Sequence, residues 1–292
     1  MSTKTLLPVV AAVMLGIGTV FGSQISKLED PIAVAMYSQL LSAFFIFIFI
    51  KIKGVKINTE WRLLTKNFRK EIIQITIASF FAFTLLFLGL NLANPTKVQF
   101  LLRLEVIFVL ITGFAIVKQR ISFRQLSPII IILFGSFLLT TSGNLLEFGS
   151  YLIGDLFIIV SVAFFAYIYF PTKKITQKIN PVFLSCVTCL FVGLIFIPTV
   201  LLWKGFDSLI FNLSNVGYLL AYVLLASTIG YILWITSIKF NKPWFVSSLL
   251  LTQPIFGGIF AFLYLGSTLT IVQIIGAALI LASSFFLIKE NS

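Results

Sequence analysis

Arg103 and Glu105 stand two residues apart inside VQFLLRLEVIFVLITGFAIV, residues 98–117, a run long and apolar enough to cross a bilayer as a helix. A charged side chain at mid-bilayer costs about 2.5–3.5 kcal/mol on insertion scales, so it normally faces protein or a water-filled cavity. In such a place a guanidinium holds an anionic group, and a carboxyl holds a cation or carries a proton. Residues two apart point to nearly opposite faces of a helix, so each charge is expected to find its own partner. The structural alternative is that both merely fix packing by pairing with polar groups on neighbouring helices. Gln99 lies one turn before Arg103 on the same face, and Thr112 two turns after Glu105. Tyr37, Gln39, Tyr167, Tyr231 and Trp234 are further candidates to line a cavity with aromatic and amide groups. For each aromatic the competing reading is core packing or contact with lipid, in a chain with 33 Phe.

Other chemistries find little support. The chain has no histidine, which excludes imidazole metal sites and proton relays. Cys186 and Cys189 form a CxxC, but it sits inside an apolar helix without further ligands, and small core residues are the better reading. A membrane-embedded enzyme would need a nucleophile, a metal or an acid/base pair, and the plausible acids are Glu105 and Asp155 alone. No enzyme, no cofactor and no metal are expected.

The elements that must position these residues follow from composition. With 59% hydrophobic and 10% charged residues and a mean hydropathy of +1.10, the 292-residue chain is an integral membrane protein. The net charge of +12 does not indicate nucleic acid, because the basic residues fall in the gaps between apolar runs and form no face on a folded domain. A window of about 20 residues gives ten spans, near residues 6–25, 32–50, 72–90, 96–117, 126–143, 152–170, 182–203, 215–237, 243–264 and 269–288. The first reads as a retained helix, since no convincing small-residue cleavage site follows it. The separators are short and rich in Pro, Asn and Lys, so consecutive spans are antiparallel neighbours. The longer connection, residues 51–71, contains TEWRLLTKNFRKE, which reads either as a short basic helix lying on the anionic leaflet or as a solvated loop.

Basic residues set the expected orientation. With the N-terminus inside, 17 Lys and Arg fall in cytoplasmic segments and Lys27, Lys97 and Lys204 outside, which places both termini in the cytoplasm. An offset of 148 residues superposes Ala78-Ser79 on Ala226-Ser227, Pro95 on Pro243, Leu101-Leu102 on Leu249-Leu250, Ile107-Phe108 on Ile255-Phe256, Phe114 on Phe262 and Gln125 on Gln273. Each half holds five helices, an odd number, so the second half runs through the membrane in the opposite sense. Inverted repeats mark secondary transporters, with the substrate site near the midplane between the halves. By the same offset Glu105 corresponds to Gln253, and Pro254 can kink the ninth helix. Gly16, Gly18 and Gly22 are read as permitting close approach of helices.

LFLGLNLANPTKVQFLLRLEVIFVLITGFAIVKQRISFRQLSPIIIILFGSFLL and its partner TSIKFNKPWFVSSLLLTQPIFGGIFAFLYLGSTLTIVQIIGAALILASSFFL resemble the two EamA-type repeats of the drug/metabolite transporter superfamily. GIGTVFGSQISK and GDLFIIVSVAFFAYIYFPTKK similarly resemble the openings of its two halves. The resemblance covers essentially the whole chain. It implies an all-α fold of ten transmembrane helices in a 5+5 inverted repeat, a cavity bounded by helices 1–4 and 6–9, and export of amino acids or other small metabolites. The chain departs from common family features at Gln39, Gln119, Ser267 and Val106, and keeps the mid-helix proline only as Pro254.

The expected protein is a multi-pass cell-membrane carrier with repeats at 1–145 and 150–290. It moves a small polar or amphipathic metabolite, first an amino acid or related compound, by alternating access. A flippase-like carrier of a lipid-linked group is the alternative. The expected site comprises Arg103, Glu105, Gln99, Gln39, Tyr37, Tyr167, Tyr231, Trp234 and Gln253. The expected partners are a small-molecule substrate, the lipid bilayer and protons, with nucleic acid excluded and a homodimer left open.

Overall fold

Proline marks where several of the helices begin. At Pro31 the Asp30 carboxylate accepts the Ile32 and Ala33 N–H groups at 3.0 and 3.1 Å, and at Pro181 the Asn180 side chain accepts the Val182 N–H at 2.9 Å. Proline in the first turn forfeits an N–H that would have had no partner and presets the helical φ, while the Asx side chain satisfies a donor that remains. The second and seventh spans thus start in the same way, one in each half. The fifth and tenth spans share a different start. Gln125 accepts the Ser122 N–H at 3.2 Å and Gln273 accepts the Thr270 N–H at 2.9 Å, at an offset of 148 for both partners. Each is the reciprocal arm of a capping box.

The computed structural model describes residues 3–92, 100–118, 122–141, 152–205, 209–266 and 270–290. Among these the spans are Thr3–Leu28, Pro31–Ile52 and Arg69–Leu92; residues 100–117; Phe123–Thr141, Leu152–Thr176 and Pro181–Lys204; then residues 213–240, 243–265 and Ile271–Glu290. Nine are each long and apolar enough to cross a membrane unaided. The fourth is described only from residue 100, so the start expected for it near residue 96 lies outside the described residues, as does the junction between the halves.

Span 3 packs on span 6 and span 1 on span 8; span 4 packs on span 6 and span 1 on span 9; spans 2 and 7, 5 and 10, and 4 and 9 pair with each other. Exchanging every span with the one five places away leaves this set of pairings unchanged. That is the pairing an inverted 5+5 repeat requires. Apolar lipid provides no hydrophobic drive between helices, so close contact depends on small residues. Gly135 and Gly276 let spans 5 and 10 meet backbone to backbone: a Cβ on either would lie 2.8 or 2.6 Å from the other's carbonyl oxygen.

The 51–71 connection contains a helix, Ile57–Asn67. Leu64 is buried beneath it, Trp61 sets its ring edge-on to Phe191, and Glu60 accepts the Asn180 N–H at 3.0 Å. Arg62 and Lys66 remain exposed. Of the two sequence readings, the helix is the observed one, and it is docked on span 7.

Candidate functional site

Spans 4 and 9 both tighten midway. In span 4, Leu102–Leu104 form a 3-10 turn before the helix resumes as Glu105–Val117. In span 9, helix Pro243–Leu250 gives way to a turn at residues 251–252, where the Leu251 and Thr252 N–H groups reach back three residues, and the helix resumes as Gln253–Leu265. The two interruptions stand at the 148-residue offset. A 3-10 stretch within a helix is typical of hinges and functional positions. Pro254 removes a backbone donor in span 9, whereas Val106 occupies the matching place in span 4, so proline is not required for the tightening.

Glu105 and Gln253 therefore each open a 13-residue half-helix whose N-terminus lies near the middle of its span. Such an end carries a partial positive charge, while the tight turn before it already occupies donors there: the Glu105 N–H bonds the Leu102 carbonyl and the Ile255 N–H the Thr252 carbonyl. Arg103, six per cent exposed, donates from Nη1 to Gln253 Oε1 at 2.9 Å and so links the two halves across their junction. Glu105 lies within electrostatic reach of Arg103 and next to the Tyr169 hydroxyl of span 6. Tyr169 is fully buried, makes no hydrogen bond of standard geometry among the described residues, and packs edge-on against Trp234 with ring centroids 5.1 Å apart. Tyr231 tilts against the other side of Trp234, centroids 5.4 Å apart.

All of these groups except Tyr169 border a cavity of about 200 Å³. Arg103, Glu105, Gln253, Gln39, Tyr231 and Trp234 line it, together with Thr19, Tyr222, Ser227 and the rings of Phe83 and Phe165. Span 8 presents Ala226 and Ser227 from a π-helical stretch, Val223–Gly230, whereas the equivalent part of span 3 is regular α-helix. Span 1 can close over the cavity because it has glycine at the contacts. A Cβ on Gly16 would lie 2.5 Å from the Gln253 carbonyl oxygen, one on Gly18 would strike Ala226, and one on Gly22 would strike the Tyr222 ring.

Polar contacts between the halves sit at both ends of the bundle. At the end bearing the termini, Asn241 donates to the Lys4 carbonyl at 2.9 Å, Lys174 pairs with Glu71, and Glu60 holds the Asn180 N–H. At the same end, but within the second half, Lys173 donates to the carbonyls of Lys239 and Asn241, at 2.9 and 3.0 Å. At the far end, Glu29 accepts from the Asn212 N–H and the Asn215 amide, and Tyr37 donates to the Leu209 carbonyl at 2.7 Å.

The structure thus brings together six of the nine residues expected from the sequence. Tyr37 instead ties the end of span 2 to the segment before span 8, with its ring against Phe211. Tyr167 packs partly buried against the main core and does not line the cavity. Gln99 lies outside the described residues. Tyr169, next to Glu105, was not among the residues expected from the sequence. No group of three or more His, Cys, Asp or Glu able to hold a metal occurs among the described residues.

Two inverted five-helix halves that meet at a charged cavity within apolar spans make this a multi-pass membrane protein of the transporter type. The EamA-like transporter family matches the chain twice, over residues 3–141 and 152–289, and the chain belongs to that family. An uncharacterized transporter of Methanothermobacter thermautotrophicus is 21% identical over 294 residues, covering 96% of this chain and 84% of that protein. A protein crystal structure has the same fold, with a TM-score of 0.82 over 98% of this chain and 97% of that chain, at 14% identity.

Proposed function

We propose that the protein is a secondary transporter of a small zwitterionic metabolite, an amino acid or related compound, that works as an exporter by alternating access. The observation that carries this reading is the Arg103–Gln253 hydrogen bond across the junction of the two halves, with Glu105 beside it in one cavity and the buried Tyr169 next to Glu105. A guanidinium offers a planar fork matched to a carboxylate. A substrate carboxylate replaces the neutral Gln253 amide on Arg103, and the neighbouring half-helix N-termini favour the same charge. Glu105 takes the substrate ammonium, or exchanges a proton with the side the cavity faces. Trp234, Tyr231, Phe83 and Phe165 enclose the apolar remainder. A volume of about 200 Å³ is below that of usual drug-sized pockets and suits a small metabolite.

In this reading the repeats, residues 1–145 and 150–290, rock about the site. One set of polar contacts between the halves opens while the other holds: Asn241–Lys4 and Lys174–Glu71 at the terminal end, Glu29 with Asn212 and Asn215 at the other. The basic residues place the terminal end in the cytoplasm of a cell whose plasma membrane the protein spans. Reporter fusions at residues 145 and 205 are then external, and those at 122, 176 and the C-terminus cytoplasmic; a cytoplasmic signal at 145 refutes this orientation.

The substrate class is tested by a thermal-shift screen of metabolites on the purified protein. A ligand at 100 times its Kd adds about 2.7 kcal/mol to stability, and zwitterions should head the ranking. Flux in liposomes decides against the flippase alternative: solute moves without lipid. Lipid scrambling without solute flux would reverse that choice.

A further inference from the structure

A second cavity, of about 550 Å³, lies outside the central site, between spans 5 and 10 at the end of the bundle bearing the termini. Its walls are two helical stripes. Arg124, Ser127 with Pro128, and Ile131 follow one another at helical spacing along span 5; Lys289, Phe286 and Ser283 do so along span 10. The spans are antiparallel, so the stripes match in depth. Arg124 and Lys289 crown the trough, and Ile131 and Ser283 lie about 10 Å deeper, at 1.5 Å per residue.

The order of chemistry with depth is that of one phospholipid. Arg124 and Lys289 are exposed at the level where both helices leave the apolar layer. Ser127 and Ser283 supply hydroxyls along the walls, while Pro128, Ile131 and Phe286 make the remainder apolar. No carboxylate lines the trough among the described residues. Phe123, Ile130 and Phe134 of span 5 and Phe285 of span 10 are also exposed apolar side chains. Two cations at the mouth select an anionic headgroup, and the apolar floor selects a molecule with a tail.

The geometry points to a binding site for an anionic glycerophospholipid in this trough, with its phosphate held by Arg124 and Lys289 and an acyl chain laid along Pro128, Ile131 and Phe286. Spans 5 and 10 belong to different halves and touch through Gly135 and Gly276, so the bound lipid spans the seam between the repeats.

The test is native mass spectrometry of the full chain released from micelles containing equal phosphatidylglycerol and phosphatidylcholine. Wild-type protein is expected to retain phosphatidylglycerol preferentially. A cation near an anionic headgroup contributes about a fivefold preference, so Arg124→Gln/Lys289→Gln should lower the ratio roughly 30-fold. Both side chains are exposed, which makes misfolding an improbable cause of a loss. Ile131→Trp keeps both cations and fills the trough, and it should also reduce retention. Lys27→Gln, an exposed cation at the opposite end of the bundle, should leave the ratio unchanged. An unaltered ratio in the first two variants overturns the proposal, as does an equal loss in the third. It is also overturned if water-soluble glycerol phosphate raises the melting temperature as much as phosphatidylglycerol does, or if the trough proves to be closed by a second copy of the chain in lipid-free detergent.

Discussion

The chain makes the same bend twice and gives it different chemistry. At residues 102–104 and 251–252 spans 4 and 9 tighten at equivalent depths, and each resumes as a 13-residue half-helix. On the first side stand Arg103 and Glu105; on the second, Leu251 and Gln253. The second has Pro254 and the first has Val106. Spans 3 and 8 differ likewise, one regular and one with a π-helical stretch beside the cavity. What the halves share is backbone: caps, pairings and the position of the interruption. What they do not share is charge. The shared features are explained by packing in lipid, and a buried charged pair in one half alone is not, which is why the site reading centres on Arg103 and Glu105.

If the asymmetry is functional, the largest effect should come from Glu105→Gln, which makes the two half-helix N-termini chemically alike. The variant keeps the shape and a hydrogen-bonding group but carries no titratable proton. As the coupling group, Glu105 predicts complete loss of pH-driven accumulation in proteoliposomes with substrate exchange retained. As the ammonium contact, it predicts that exchange and equilibrium binding fall together. Accumulation and affinity both at wild-type level would make the first-half charges structural and move the site toward Gln39, Tyr231 and Trp234.

Arg103→Lys comes next. Lysine keeps the charge but loses the fork, and a hydrogen bond to a charged group is worth about 1.5–3 kcal/mol. Affinity for a zwitterion, measured by calorimetry, should fall roughly 10–100-fold with the melting temperature little changed. Gln253→Ala removes the other end of the same hydrogen bond and should cost less, because the substrate carboxylate replaces that amide. Equal losses at Arg103 and Gln253 would instead mark a purely structural tie between the halves.

Much of the shared backbone was legible in the sequence because it depends on residues with strong local rules. Pro31 and Pro181 start helices and Gln125 and Gln273 recur at one offset; Gly16, Gly18 and Gly22 mark a close contact in the first half alone. Arg103 and Glu105 were legible for a different reason: charge within an apolar run has few uses. Tyr169 was not legible, and Tyr167 was chosen in its place, because span 6 is apolar nearly all round and offers no periodicity to tell its faces apart. Tyr37 was misplaced toward the cavity since sequence gives no depth for a residue that hydrogen-bonds to a distant segment such as Leu209. The tightening of span 4 has no proline to announce it.

Gly16 lies where the two regions meet, and its replacement should act on stability more than on chemistry. A Cβ there falls 2.5 Å from the Gln253 carbonyl, backbone that cannot move without shifting the span 9 turn. Gly16→Ala should destabilise by about 1–3 kcal/mol, the usual cost of overpacking. Gly217→Ala, with open space around it, should be neutral or slightly stabilising through helix propensity. Thermal unfolding of the two variants side by side checks this; equal melting temperatures would mean that spans 1 and 9 are not held this closely.

The smallest effect tests the symmetric side of the comparison. Gln125 and Gln273 hold the N–H groups of Ser122 and Thr270 at the starts of spans 5 and 10, both at exposed positions. Loss of a helix-start hydrogen bond of this kind costs about 0.5–1 kcal/mol, and at an exposed end water replaces part of it. Gln125→Ala and Gln273→Ala should therefore each lower stability by a similar few tenths of a kcal/mol. Both should leave substrate affinity unchanged, because neither span lines the cavity. The sites belong to different halves and share no partner, so the double variant should show the sum of the single effects. Thermal unfolding of the three variants, with affinity measured alongside, is the check. A change in affinity confined to one of the caps would mean that the halves differ in their scaffold as well as in their charges, and spans 5 and 10 would then have to be counted among the elements that set the site.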